Sequence, residues 1–347
     1  MPEPSPTPVR RGRLFRFGAA LVVLLAVAGY LAVQYLTGGT GEPKCTVVSG
    51  KDDGASYEFT TEQAVNAATI TAVGTNRGMP ERAVTIALAT ALQESALRNI
   101  RHGDRDSLGL FQQRPSQGWG TEREIMDPTY AAGEFYKHLD KVRDYEDLPL
   151  TVAAQRVQRS GFPDAYAKHE PDATLLAAAL TGRAAATLTC EGRQEVRAGG
   201  PDAVRAALVR DFGRDAFQEV GAEMAGAASE APRDDTSTSS SAPSASSAAS
   251  RPASPAATAG GTGGRRTLTL PVPRTSEAEG GERRRGWVLA HWAVANSAAL
   301  RVEQVSYAGR VWTSGSRDSG WRTDGSAGSA APGGRSNTEA VRIVTGQ

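Results

Sequence analysis

The 347-residue chain has little cysteine, little histidine and no surplus of charge: 2 Cys, 4 His, and 39 Lys+Arg against 38 Asp+Glu for a net charge of +1. Without a basic excess there is no electrostatic footprint for a polyanion, so nucleic acid is not an expected partner. His102, His138, His169 and His291 are scattered, with none of the close His and Cys pairings that zinc sites use. Neither a metal nor another cofactor is expected. Lysine is scarce as well, 5 against 34 Arg, a coding bias that carries no mechanism.

Long apolar runs are missing too, with one exception. Phe17 to Val33 carries no charge, and extension to Leu36 gives 20 residues, enough at about 1.5 Å per residue to cross a hydrocarbon layer of roughly 30 Å. Arg10, Arg11, Arg13 and Arg16 precede it, and no Lys or Arg lies in Thr37 to Pro43. The positive-inside rule then puts residues 1–16 in the cytoplasm, 17–36 across the cytoplasmic membrane and the bulk outside. A cleavable signal peptide, with Ala26-Val27-Ala28 at the cut, is the other reading, and would leave the protein secreted. Either way the rest is exported, so the two cysteines, Cys45 and Cys190, are read as a disulfide, with two free thiols as the alternative.

Residues 45–190 read as a mainly α domain. Thr61 to Gly74 is one helix; Pro80 opens a second, in which Val84, Leu88 and Leu92 recur beside Ala83, Ala87 and Ala91. Further helices are expected from Asp127-Pro128, from Leu150-Thr151, and from Pro163-Asp164 through Leu180, around an irregular stretch at about 101–126. Residues 191–222 hold one more helical segment, Asp202 to Phe217, whose membership is open between this domain and the next module. Residues 223–265 are a Ser/Ala/Pro/Gly linker unable to bury a core. Residues 266–347 read as a small α+β module: strands at Leu268–Val272, Val302–Tyr307, Arg310–Thr313 and Ala340–Val344, and a helix at Gly286–Leu300. Lone His291 on that apolar helix reads as a core residue.

The chemistry lies near the end of the second helix, which delivers Gln93-Glu94-Ser95. A carboxyl at the negative end of a helix dipole, beside apolar neighbours, suits a general acid, while an exposed Glu with no role is the plain alternative. After a polar loop comes Ser107-Leu108-Gly109-Leu110-Phe111-Gln112-Gln113, where Gly109 lets the chain turn close to a ligand and the Gln pair offers amides to a sugar.

Glu94-Ser95 followed by Gly109-Leu110-Phe111-Gln112, then by Asp127-Pro128 with Ala132-Gly133, Phe135-Tyr136 and Leu139, is similar to the lysozyme-like superfamily, in its soluble lytic transglycosylase and goose-type lysozyme branch. The resemblance spans about residues 60–185. The segments Gly103 to Ser107 and Gln112 to Gly120 also resemble those of membrane-anchored exported proteins of high-GC bacteria. It implies cleavage of peptidoglycan glycan strands by a transglycosylase or muramidase, with Glu94 as acid and base and with Ser107, Gly109, Phe111, Gln112 and Gln113 against substrate. Hydrolysis by inversion would need a second carboxylate, for which Asp104 and Asp106 are candidates; loop acids paired with Arg are their alternative. Trp119 and Phe111 are candidate sugar platforms, with packing of the glycine-containing loop as their alternative. The family's Ala-Tyr-Asn-Ala-Gly segment is replaced by Ala153-Ala154-Gln155-Arg156-Val157-Gln158, in which Gln155 and Gln158 either replace the lost polar contacts or are ordinary surface residues. A non-catalytic glycan-binding or adaptor protein is the alternative function; protein partners are not legible.

Overall fold

The computed structural model describes residues 43–51, 53–162, 164–191, 200–214, 266–272, 281–315, 320–324 and 340–346. The expected anchor at 17–36 and the expected linker at 223–265 lie outside them. Among the described residues no helix is long and apolar enough to cross a membrane.

Strands β1 (Lys44–Val48) and β2 (Ser56–Thr60) pair antiparallel, Lys44 opposite Thr60 and Val48 opposite Ser56. Strand β3 (Leu188–Cys190) lines the other side of β1 with Cys190 directly opposite Cys45. That register brings the two Cα atoms to 3.9 Å, and the sulfurs form a disulfide across 145 residues of sequence. The sequence showed little strand alternation here because strands of three to five residues are too short for a period of two to register.

Thr60 ends β2 and starts α1 (Thr61–Asn76): its side chain accepts from the Gln63 N–H while the Gln63 carboxamide accepts from the Thr60 N–H at 2.7 Å, a reciprocal cap. Pro80 precedes α2 (Glu81–Ser95), and both helices are buried on nearly every side, as their Ala-rich, charge-poor sequences require. A short helix α3 (Glu122–Ile125) leads into α4 (Pro128–Leu139), where Asp127 caps the Thr129 and Tyr130 N–H groups and Ala131, Ala132, Phe135, Tyr136 and Leu139 face inward. Tyr136 lies across α1 and its hydroxyl donates to Ile70 O at 3.1 Å. Only glycine allows this crossing at position 74, since a Cβ there would meet the Tyr136 hydroxyl at 2.6 Å.

Helix α5 (Leu150–Gln158) follows Pro149. The next helix, α6 (Glu170–Leu180), begins later than the expected Pro163, after turns and one 3-10 turn at Ala167–His169. Pro171 explains the difference: without an N–H it fits the first turn of a helix and not its interior. Helix α7 (Pro201–Phe212) packs on α1.

The C-terminal segment forms a five-stranded antiparallel sheet in the order β4 (Arg266–Pro271), β8 (Ala340–Thr345), β5 (Val302–Tyr307), β6 (Arg310–Thr313), β7 (Arg322–Thr323). The helix expected at 286–300 is two pieces, α8 (Gly281–Ala295) and α9 (Ser297–Leu300), broken at Asn296. The described residues from Lys44 onward belong to one compact unit. Helix α8 lies between its own sheet and α1, α6 and β3. His291, fully buried on α8, donates from Nδ1 to Ala179 O at 2.7 Å and accepts at Nε2 from the Thr187 N–H at 3.3 Å. Trp292 donates to buried Asp211 of α7 at 2.8 Å, and Asp211 also accepts from Thr69 of α1. Such fully satisfied polar contacts inside a core fix how helices sit on one another, which apolar packing alone leaves looser.

Candidate functional site

Helix α2 stops immediately after Ser95 because Ala96 and Leu97 both take positive φ, 52° and 57°. Each costs a non-glycine residue about 1 kcal/mol. Donors from α1 hold the turn: Gln63 Nε2 donates to Ala96 O and Asn66 Nδ2 to Leu97 O, each at 2.8 Å. The cap of α1 thus also fixes the end of α2. Ser95 then donates to Leu110 O at 2.8 Å, tying the helix end to the glycine-containing loop.

That loop is closed on itself. Leu108 and Gln113 exchange both backbone hydrogen bonds at 3.0 Å, and Gly109, at φ +75°, donates its N–H to Ile100 O at 2.8 Å. A side chain at 109 would be strained in φ and would come within 2.8 Å of Ile125 O.

Half-buried Glu94 faces polar neighbours instead of the apolar ones the sequence suggested. Its Oε1 accepts from the Tyr166 hydroxyl at 2.7 Å and from Gln158 Nε2 at 3.1 Å. The same Gln158 amide donates to Phe111 O at 2.7 Å, so one side chain joins α5, the end of α2 and the loop. Burial, followed by the neighbouring Glu94 charge, holds the Tyr166 phenol above its ordinary ionisation range, so it stays a donor. Beside this pair His169 contacts Gln93 Oε1 at 3.1 Å and is shifted below its usual pKa by burial.

Several expected site residues have other occupations. Asp106 clamps its own loop: it accepts from the Ser116 N–H at 2.9 Å and Arg114 Nε at 2.6 Å, and these Ser116 and Arg114 contacts hold its carboxyl well below the usual range. Asp104 is exposed, 3.9 Å from Arg105. Both therefore match the loop-acid alternative. Phe111 is fully buried and stacked on Phe135 with centroids 4.6 Å apart, so its ring belongs to the core and cannot serve as a platform. Ser107 and Gln113 are buried, Gln113 donating to Ala131 O at 3.1 Å. Gln112, at φ 48°, folds back toward His102 O and Gly109 O. Gln155 donates to Ser160 O at 2.7 Å and so closes the end of α5, leaving Gln158 as the glutamine that reaches Glu94.

Sequence reasoning missed Tyr166 and Phe162. Phe162 is 77% exposed, in the segment that runs from Gln158 to Tyr166, the two donors to Glu94. Spacing gave no signal for either, because an irregular segment has no period.

Gln158 also lines a groove of about 510 Å³. Its wall holds Trp119, its ring tilted 37° against that of His138 with centroids 4.2 Å apart, together with Lys141, Val142 and residues 156–159. Among the described residues no group of three or more His, Cys, Asp or Glu side chains is arranged to hold a metal ion.

Residues 269–332 match the model of a family described as the VldE C-terminal domain. The match runs from β4 to just past β7 and does not include Glu94. No curated protein matches the chain.

Proposed function

We propose that the protein cleaves the glycan strands of peptidoglycan outside the cytoplasmic membrane, as a lytic transglycosylase of lysozyme-like fold with Glu94 as its only catalytic carboxyl. The observation that carries this reading is the support around Glu94: Tyr166 and Gln158 both donate to Oε1, and among the described residues Oε2 accepts no hydrogen bond.

Glu94 gives its proton to the glycosidic oxygen as the C1–O bond breaks. It then takes the proton of the same sugar's C6 hydroxyl as O6 bonds to C1, closing an anhydro ring. One carboxyl performs both transfers. The engagement of Asp106 by Arg114 and Ser116 favours this route over inversion, where a second free carboxylate must activate water. Exposed Phe162 supplies the apolar face on which a sugar ring stacks.

The test is digestion of purified peptidoglycan by the full-length chain in mild detergent, with Glu94→Gln alongside and mass spectrometry of the products. Anhydro-muropeptides present with wild type and lost in the variant are expected. Reducing ends in their place would mean hydrolysis. Wild type and variant both inert, yet co-sedimenting with sacculi, would leave a glycan-binding protein.

A further inference from the structure

Gln63 occupies the third position of α1, where the reciprocal cap needs a side chain that accepts from the backbone of Thr60. Glutamate and glutamine both do this. Glutamate would suit the helix better, since the dipole favours a negative charge in the first turn. The chain has the neutral amide, and its two ends have different partners. Oε1 accepts from the Thr60 N–H at 2.7 Å, while Nε2 donates to Ala96 O at 2.8 Å, 33 residues away and at the end of α2. An ionised carboxylate can make the first bond and not the second.

The second bond falls where α2 is least secure. Ala96 and Leu97 close that helix in the left-handed conformation, at φ 52° and 57°, a place where helices ordinarily put glycine. Asn66, one turn beyond Gln63 on the same face of α1, holds Leu97 O but leaves Ala96 O to Gln63. Glu94 lies two residues before Ala96, in the last turn of α2. Its side chain is held by Tyr166 and Gln158, and the backbone that carries it is held from α1. We infer that Gln63 is a positioning residue for Glu94. The donor of its amide, and not its part in the cap, keeps the last turn of α2 closed and the carboxyl in place. As an effect on turnover the inference rests on the function proposed above; as an effect on the turn it does not.

The test is Gln63→Glu in the full-length chain, which keeps the acceptor of the cap and removes the donor. The variant should fold, and its turnover on peptidoglycan should fall roughly tenfold with KM little changed, as when a proton-transfer group is displaced. Thr60→Ala does the reverse. It weakens the cap, should lower the thermal midpoint by about 2 to 4 °C, and should keep turnover within about twofold of wild type. Adding Ala96→Gly to Gln63→Glu lets the turn form without strain and should restore turnover to within about threefold. Wild-type turnover in folded Gln63→Glu overturns the inference and leaves Glu94 untouched. A loss confined to KM, or one that Ala96→Gly does not reduce, overturns it too. Hydrogen exchange separates the inference from the proposed reaction. The amides of Ala96, Leu97 and Arg98 donate to Leu92 O, Ala91 O and Ser95 O. They should exchange roughly tenfold faster in Gln63→Glu than in wild type or Thr60→Ala. That result from a wild type that cleaves nothing supports the hold on the turn and removes the reaction alone. Unchanged exchange overturns the inference.

Discussion

Tyr166 and Glu94, 72 residues apart in sequence, share a 2.7 Å hydrogen bond in which the phenol donates to Oε1. Tyr166 is fully buried, so the bond cannot swing away with an exposed side chain, and the carboxyl is held in one orientation. In the proposed mechanism Tyr166 is a positioning residue for a group that meets two different oxygens in turn.

Tyr166→Phe keeps the ring and removes the donor. Turnover on peptidoglycan should fall by roughly tenfold to a hundredfold with little change in KM, because misplacement of a proton-transfer group acts on the chemical step. Thermal unfolding checks the fold. An unchanged turnover in a stably folded variant would remove Tyr166 from the site.

Phe162 makes the opposite prediction. Its side chain is 77% exposed, so little packing is lost on truncation. Phe162→Ala should leave stability within about 0.5 kcal/mol of wild type. It should raise KM for glycan by roughly threefold to tenfold, the loss of one stacking contact. Phe162→Trp should restore binding; a KM blind to both changes would mean that no sugar rests there.

The helical register and the order Glu94-Ser95, then Gly109 to Gln112, were legible because they depend on local pattern: an Ala-rich period, a Pro at the start of several helices, a glycine where the backbone needs positive φ. Which glutamine reaches Glu94 was not. Gln155 and Gln158 are three residues apart on one helix, and only the close of α5 by the Gln155 bond to Ser160 O decides between them. Phe111 stayed open between sugar platform and loop packing for a similar reason. An aromatic beside a glycine turn looks the same in sequence whether its ring meets solvent or, as here, Phe135. Contacts between distant segments, such as α8 with α1 and α6, leave no periodic trace at all.

The disulfide offers a direct stability test. Cys45 and Cys190 join two strands separated by 145 residues, a long loop whose closure restricts the unfolded chain. Replacing both by Ala should lower unfolding free energy by about 2 to 5 kcal/mol. Free-thiol titration of the denatured, unreduced protein should find none; two thiols per chain would mean that the bond does not form.

His291 sets a pH dependence. Burial pushes its pKa from 6.5 down to about 4, against the smaller opposing effect of its bond to Ala179 O. The folded state therefore binds fewer protons than the unfolded state between these values, and stability rises with pH across the window. It is complete above about 6.5 and falls as pH drops toward 4, by at most about 3 kcal/mol for this group. His169, also lowered, acts in the same sense. Denaturant unfolding at pH 7.5 and 5 measures the slope, and His291→Asn should flatten it. Stability that is level between those pH values would refute a neutral buried His291.

Asp211 and Trp292 test whether α8 is fastened to the rest of the structure or only rests on it. Asp211 is 2% exposed and accepts from Trp292 Nε1 at 2.8 Å, Thr69 Oγ1 at 3.3 Å and Arg210 Nε at 2.7 Å. Asp211→Ala strands the indole N–H and the Thr69 hydroxyl in a closed core, and should cost about 2 to 4 kcal/mol. Trp292→Phe retains most of the ring and removes one donor, and should cost about 1 kcal/mol plus the lost ring volume. Because the two side chains share a bond, the double variant should be less destabilised than the sum, by about 1 to 2 kcal/mol. Simple additivity would mean that the bond contributes nothing to the joint. The same joint dictates how the protein must be handled: a chain ended at residue 222 lacks Trp292 and His291, so the polar groups of Asp211, Ala179 and Thr187 lose their partners. Such a fragment should unfold at lower denaturant than the full chain and bind more apolar dye, which is why activity is to be measured on the intact protein.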